Sequence, residues 1–149
     1  MPAVEHGAER LRNLRTRLLS LAATQSDRRV NEELSKADAR KWHFAVLATL
    51  AEFGPLSQAQ LSDRTGVYRS DLVGVMNELT DRGQVERAPD PADRRRNVVS
   101  LTPAGRRQLA RLERILAGVE DEILAPLSAE ERQQLTRLLT AVVERFKVI

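Results

Sequence analysis

The chain has 149 residues, no cysteine and a formal net charge of +3, with 42% hydrophobic and 30% charged residues. That length suits one domain with its own core, and the composition excludes disorder along the whole chain. Disulfide scaffolds, thiol catalysis, iron–sulfur ligation and cysteine-based zinc sites are excluded, and two distant histidines, His6 and His43, predict neither a metal nor a cofactor.

A first helix is predicted from about Glu5 to Ala23, with Leu11, Leu14, Leu18 and Leu21 on one stripe. The polar stretch Thr24–Arg29 fits either a loop or a continued exposed helix. A second helix is predicted from an N-cap at Asp38 to Phe53, burying Phe44, Leu47, Leu50 and Ala51, and Gly54-Pro55 stops it. Ser57-Gln58-Ala59-Gln60 has capping-box spacing and opens a short helix to about Arg64, followed by Gly66 as a turn. The next helix runs from about Arg69 to Asp81, with Leu72, Val75, Met76 and Leu79 inside, and stops at Gly83. Two short helices joined through a glycine have helix–turn–helix spacing.

Gln84–Ala88 and Asn97–Leu101 then alternate as strands around a proline-rich, arginine-tipped loop, which predicts a two-stranded β-wing. Thr102-Pro103 caps a helix carrying Leu109, Leu112, Leu116, Val119 and Ile123, which Pro126 ends. Ser128 to Glu131 opens the last helix with another capping box, and Leu135, Leu138, Leu139, Val142 and Phe146 share one side of it. The fold expected is mainly α with a small wing. An isolated terminal helix cannot bury a leucine stripe, so the first and last stripes meet one another, within the chain or across a dimer. The expected contacts there are Leu11, Leu14, Leu18, Leu138, Val142 and Phe146.

No apolar run approaches the roughly 18–20 residues of a membrane span. The opening Met1-Pro2-Ala3-Val4-Glu5-His6 lacks the basic-then-apolar order of a secretory signal, so a cytoplasmic protein is expected. Motifs for phosphate loops, nucleophile elbows and zinc proteases are absent from the sequence. The carboxylates mostly neighbour arginines at helical spacing, as on a solvated face, and no enzyme is expected.

Charge placement is more informative than the total. Residues 94–107 hold Arg94, Arg95, Arg96, Arg106 and Arg107 with no acidic residue. By itself such a loop could be only an exposed polar one. After a helix–turn–helix, its guanidinium groups suit the narrow, negative minor groove of double-stranded DNA. The second helix of the motif should read bases from its N-terminal outward residues, Arg69, Ser70, Asp71 and Val73. Asp71 equally suits simple stabilisation of a helix start. Tyr68 could bond a phosphate or only pack, and Ser57 and Gln58 complete the candidate contacts at the head of the preceding helix.

Leu56-Ser57-Gln58-Ala59-Gln60-Leu61, Gly66-Val67, Arg82-Gly83-Gln84-Val85-Glu86-Arg87, Asp90-Pro91-Ala92-Asp93-Arg94-Arg95 and Leu101-Thr102-Pro103-Ala104-Gly105 together resemble the MarR family of bacterial transcriptional regulators. The resemblance implies one MarR-like domain over 1–149, with a winged helix–turn–helix lobe at 38–101 and dimerisation helices at 5–37 and 102–149. It implies a homodimer that binds a palindromic operator, usually as a repressor, and releases it when a small aromatic or anionic effector enters between dimer helices and lobe. The minor-groove arginine of the family falls on Arg95, and Asp93 matches the aspartate that holds the wing tip. Trp42 and His43 lie where relatives often line that ligand site, although core packing accounts for them as well.

Two departures qualify the resemblance. Many members carry Thr-x-Arg in the reading helix, where this chain has Leu72-Val73-Gly74, so base reading shifts toward Arg69, Ser70 and Asp71. Members that sense peroxides use a cysteine, and this chain has none. A rival from another class is a winged-helix protein-interaction module that does not read DNA, since a fold alone does not fix function.

Overall fold

The computed structural model describes residues 7–148. Its first helix is short, α1 (Glu9–Arg12), and after Asn13 and an extended Leu14 the chain restarts as α2 (Arg15–Ser35). The single helix expected from Glu5 is therefore broken, and its first residues lie outside the described ones. The polar stretch Thr24–Arg29 is helical. Thr24 donates its hydroxyl to the Ser20 carbonyl, Arg28 to Gln25, and Arg29 to Glu32. Such pairs one turn apart keep an exposed polar helix wound.

Asp38 ends α2 rather than starting the next helix. The Ala39 amide donates to the Leu34 carbonyl and the Asp38 amide to Ser35, with Asp38 itself left-handed at φ 52°. This is the Schellman arrangement, and the buried Leu34 and Ala39 supply its apolar contact. Helix α3 (Lys41–Phe53) accordingly starts two residues later than expected, with Arg40 at its N-cap in place of Asp38. Its inner face is His43, Val46, Leu47 and Leu50; Phe44 is only half-buried and Ala51 is exposed. The face is turned because His43, polar but fully bonded, takes an inner position.

Helix α4 (Gln58–Thr65) opens on the capping box, and Gly66 closes it in a left-handed turn at φ 74°. Helix α5 (Arg69–Asp81) buries Leu72, Val75, Met76 and Leu79, as the periodicity predicts. The wing strands are β2 (Val85–Pro89) and β3 (Asn97–Leu101), paired antiparallel from Val85↔Leu101 to Pro89↔Asn97. A third strand, β1 (Leu56–Ser57), pairs with Val99 and Val98, giving the order β1-β3-β2. Two residues are too few to alternate visibly in a sequence.

Two long helices flank this lobe. Helix α6 (Pro103–Ile123) buries Leu109, Leu112 and Val119 and is tied to α2 where Arg29 Nε donates to Glu122 at 2.7 Å. Helix α7 (Ala129–Glu144) begins with the Ser128–Glu131 capping box, buries no residue, and passes into a 3-10 turn, Arg145–Val148. The core is one cluster in the lobe, joined by Leu34 from α2 and by Leu109 and Leu112 from α6. No helix among the described residues is long and apolar enough to cross a membrane.

Thr102 joins the wing to α6. Its hydroxyl donates to the Gly83 carbonyl (2.6 Å) and accepts from the Gly105 amide (3.0 Å), while its own amide donates to Gln84 (3.1 Å). A β-carbon at Gly105 would sit 2.1 Å from the Gln84 oxygen. Gly105→Ala is therefore expected to cost about 1–3 kcal/mol through overpacking. Urea denaturation measures it, and an unshifted midpoint would refute the close contact.

Candidate nucleic-acid interface

The helix–turn–helix is held by local bonds. Ser57 Oγ accepts the Gln60 amide at 3.2 Å, and Gln60 Oε1 accepts the Ser57 amide at 2.9 Å. The Ser57 hydroxyl proton stays available to a phosphate, and Gln58 stands half-buried beside it. Across the turn, Ser62 donates to the Val67 carbonyl (2.7 Å) and the Val67 amide to Thr65 (3.2 Å). Val67 is buried, and this pins the direction in which α5 leaves.

Tyr68 precedes α5 in an extended conformation, makes no side-chain cap and is 78% exposed. Arg69 and Ser70 are exposed and Asp71 is half-buried in the first turn. Val73 is 49% exposed, and the Gly74 position opens on empty space. The outward residues singled out from sequence therefore share the free side of α5. One contact there is not visible in the sequence: Arg87 on β2 donates to Asn77 Oδ1 at 3.0 Å, tying wing to helix. The two residues are ten apart and follow no motif.

At the wing tip, Asp93 Oδ1 accepts the Arg95 amide at 3.1 Å and stands 3.3 Å from Arg95 Nε. One carboxylate oxygen thus fixes both the backbone turn and the base of the side chain. The Arg95 side chain is otherwise 91% exposed, with its two terminal nitrogens free to donate. Arg94 is exposed, and Arg96 lies 3.9 Å from Asp90, a distance at which an exposed pair is weak. Arg106 and Arg107 are exposed on the first turn of α6. The tip can put several cations against a phosphate chain at once.

His43 is not a wall residue. Its ring is 2% exposed, Nδ1 accepts the Arg40 amide at 2.9 Å, and Nε2 meets Glu78 Oε2 at 2.6 Å. An accepting Nδ1 leaves the proton on Nε2, so the ring is neutral and donates to Glu78. Arg40 Nη2 contacts both oxygens of the same carboxylate at 2.8 and 3.0 Å. Burial pushes the His43 pKa below its usual value, and the bond to Glu78 only partly offsets it. Burial also opposes the Glu78 charge, yet the bonds from His43 and Arg40 outweigh it and hold that carboxyl below the usual range. Beside this network a groove of about 480 Å³ is lined by Trp42 together with Asn31, Ser35, Ala39, Arg40 and Lys41. Of the two residues expected at a ligand wall, Trp42 lines this groove, whereas His43 stands behind it and holds α3 against α5.

The residues expected at a dimer contact form open apolar surface. Leu11, Leu14 and Leu18 on α1, its junction and α2, and Leu138, Val142 and Phe146 at the other end, range from 39% to 69% exposed.

A sequence profile described as "MarR family" matches residues 38–96. The transcriptional regulator HosA of Escherichia coli is 32% identical over 102 residues, covering 68% of this chain and 76% of HosA. The HTH-type transcriptional repressor NicR of Pseudomonas putida is 32% identical over 101 residues, 68% of this chain; the match spans 64% of NicR, under two thirds of its length. A cysteine-to-serine mutant of E. coli MarR, solved in complex with operator DNA, superposes with a TM-score of 0.74 at 28% identity, covering 85% of this chain and 91% of that one.

A buried neutral histidine binds fewer protons than the unfolded chain just below pH 6.5, so stability should be full above that value and fall as the pH drops through it. Ring resonances of His43 in a pH titration by NMR should show a midpoint below 6.5, with the Nε2–H tautomer at neutral pH. A midpoint at or above 6.5 would refute the network.

Proposed function

We propose, since the chain belongs to the MarR family of transcriptional regulators, that it acts in the cytoplasm as a homodimeric repressor of a palindromic operator. The observation that carries this reading is the wing tip, where Asp93 holds an otherwise bare Arg95 beyond a helix–turn–helix. In a two-fold dimer the two α5 helices enter successive major grooves about 34 Å apart, and the wings reach the flanking minor grooves. Arg95 enters the minor groove; Arg94, Arg96, Arg106 and Arg107, with Tyr68, Ser57 and Gln58, meet the phosphate chain. Arg69, Ser70, Asp71 and Val73 face base edges. No catalytic step is part of this reading.

The exposed apolar faces of α1, α2 and α7 support the dimer, since a second copy would cover Leu18, Val142 and Phe146. The groove beside Trp42 supports a small-molecule effector. Trp42 offers a stacking face for an aromatic compound, and an anionic one would compete with Glu78 and Asp27 for Arg40 and Lys41. Such an effector would relieve repression by shifting the lobe relative to the dimer helices.

A footprint on DNA upstream of the protein's own gene should appear; with none there, the interaction-module reading gains. Arg95→Ala should weaken binding by roughly 1–3 kcal/mol and leave thermal unfolding unchanged. Equal gel-shift titrations for Arg95→Ala and the parent would remove the wing from the mechanism. Val142→Asp should halve the sedimenting mass, and an unaltered mass would mean that this face is not the interface.

A further inference from the structure

We propose that Val73 reads the 5-methyl group of a thymine, and that Gly74 is glycine so that the α5 backbone can approach the bases. This rests on the DNA-binding reading above and concerns what that helix recognises.

The glycines of the described chain separate by cause. Gly54, Gly66 and Gly83 have positive φ, and Gly105 is pressed against Gln84. Gly74 has neither reason, and nor does the exposed Gly118 inside α6; of the two, only Gly74 lies on the side of α5 proposed to face DNA. It lies inside the 13-residue helix α5, its backbone is not left-handed, and a β-carbon there would meet nothing within 4 Å. A glycine in an exposed helix interior weakens the helix relative to alanine, and a β-branched valine weakens it too. Two adjacent weak helix formers therefore stand on the outward side of α5, one with no side chain and one with half of its side chain uncovered. Such local conflicts are expected where function overrides stability.

The chemistry of that side narrows what it can read. Ser70, Val73, Gly74 and Asn77 all face outward, opposite the buried Leu72, Val75, Met76 and Leu79. No arginine or lysine lies among them, so the middle of the helix cannot grip a guanine edge with a guanidinium fork. Asn77 has its carbonyl oxygen taken by Arg87. Val73, half exposed, offers only apolar surface. In the major groove the one apolar feature on a base edge is the thymine methyl. Contact between the two removes both from water. With no side chain at position 74, the next part of the helix can move in without a β-carbon to hold it off.

The test begins by selecting duplexes from a randomised DNA pool with the intact protein. Each thymine of the selected site is then replaced in turn by deoxyuridine, which deletes the methyl and keeps base pairing. At one position in each half-site this should weaken binding about fourfold, the worth of one buried methyl-sized group. The penalty should vanish in Val73→Ala and persist in Val73→Thr, which keeps a methyl. Gly74→Ala should raise the melting temperature by about 1–4 °C while weakening binding by about tenfold or more. Opposed signs exclude simple misfolding. If deoxyuridine is neutral everywhere, or Gly74→Ala binds as the parent does, the inference fails and DNA reading stands. If no sequence is enriched, DNA reading fails and the inference with it.

Discussion

Three parts of the molecule meet at one threonine hydroxyl. Thr102 Oγ1 bonds the carbonyl that ends α5, through Gly83, and the amide of Gly105 in the first turn of α6. Its amide holds Gln84 at the root of the wing. The reading helix, the wing and the long helix that leaves the lobe therefore share one rigid junction. Only glycine at position 105 lets these backbones come so close, and the Pro103 ring pre-sets the helical start beside it. Together with the Arg87–Asn77 bond, that junction sets the position of the wing relative to α5. The two-groove geometry depends on this relation.

Some arginines of this chain hold its elements together, and others stand free on the surface. Arg29 with Glu122 and Arg40 with Glu78 link elements distant in sequence, and Arg132 with Asp121 and Arg87 with Asn77 link neighbouring ones. Arg69, Arg94, Arg106 and Arg107 make no ion pair among the described residues and stand exposed on the helix–turn–helix and wing side, although Arg10, Arg111 and Arg137 are equally exposed and unpaired on the outer helices. A net charge of +3 says nothing of which arginines are paired and which are free. What a phosphate chain meets is set by which cations are left over.

What can be read from the sequence follows the range of the interactions involved. Capping boxes at Ser57–Gln60 and Ser128–Glu131, and the cap at Thr102, are closed by bonds three residues long, so the residues alone declare them. The Asp93–Arg95 contact spans two residues and is equally legible. Asp38 misleads because aspartate suits both a helix start and a left-handed helix end, and only the buried Leu34–Ala39 contact decides between them. His43 reads as either a groove or a core residue until its partner Glu78, 35 positions away, is brought to it. Strand β1 exists only because β3 lies beside it. At the candidate interface the exposed side of α5 is legible from helical period, but the open space around Gly74 is not.

The unbroken course of α6 has a mechanical consequence. Its 21 residues make a strut of about 31 Å, rooted at the wing and ending beside α2 and α7. A tilt of about 10° at the far end would carry its root through about 5 Å, and about 3.4 Å separates successive base pairs. Under the proposed effector response, a small rearrangement among the outer helices would move the wing by a step on the scale of the DNA ladder. The length of one helix sets the sensitivity of the whole device.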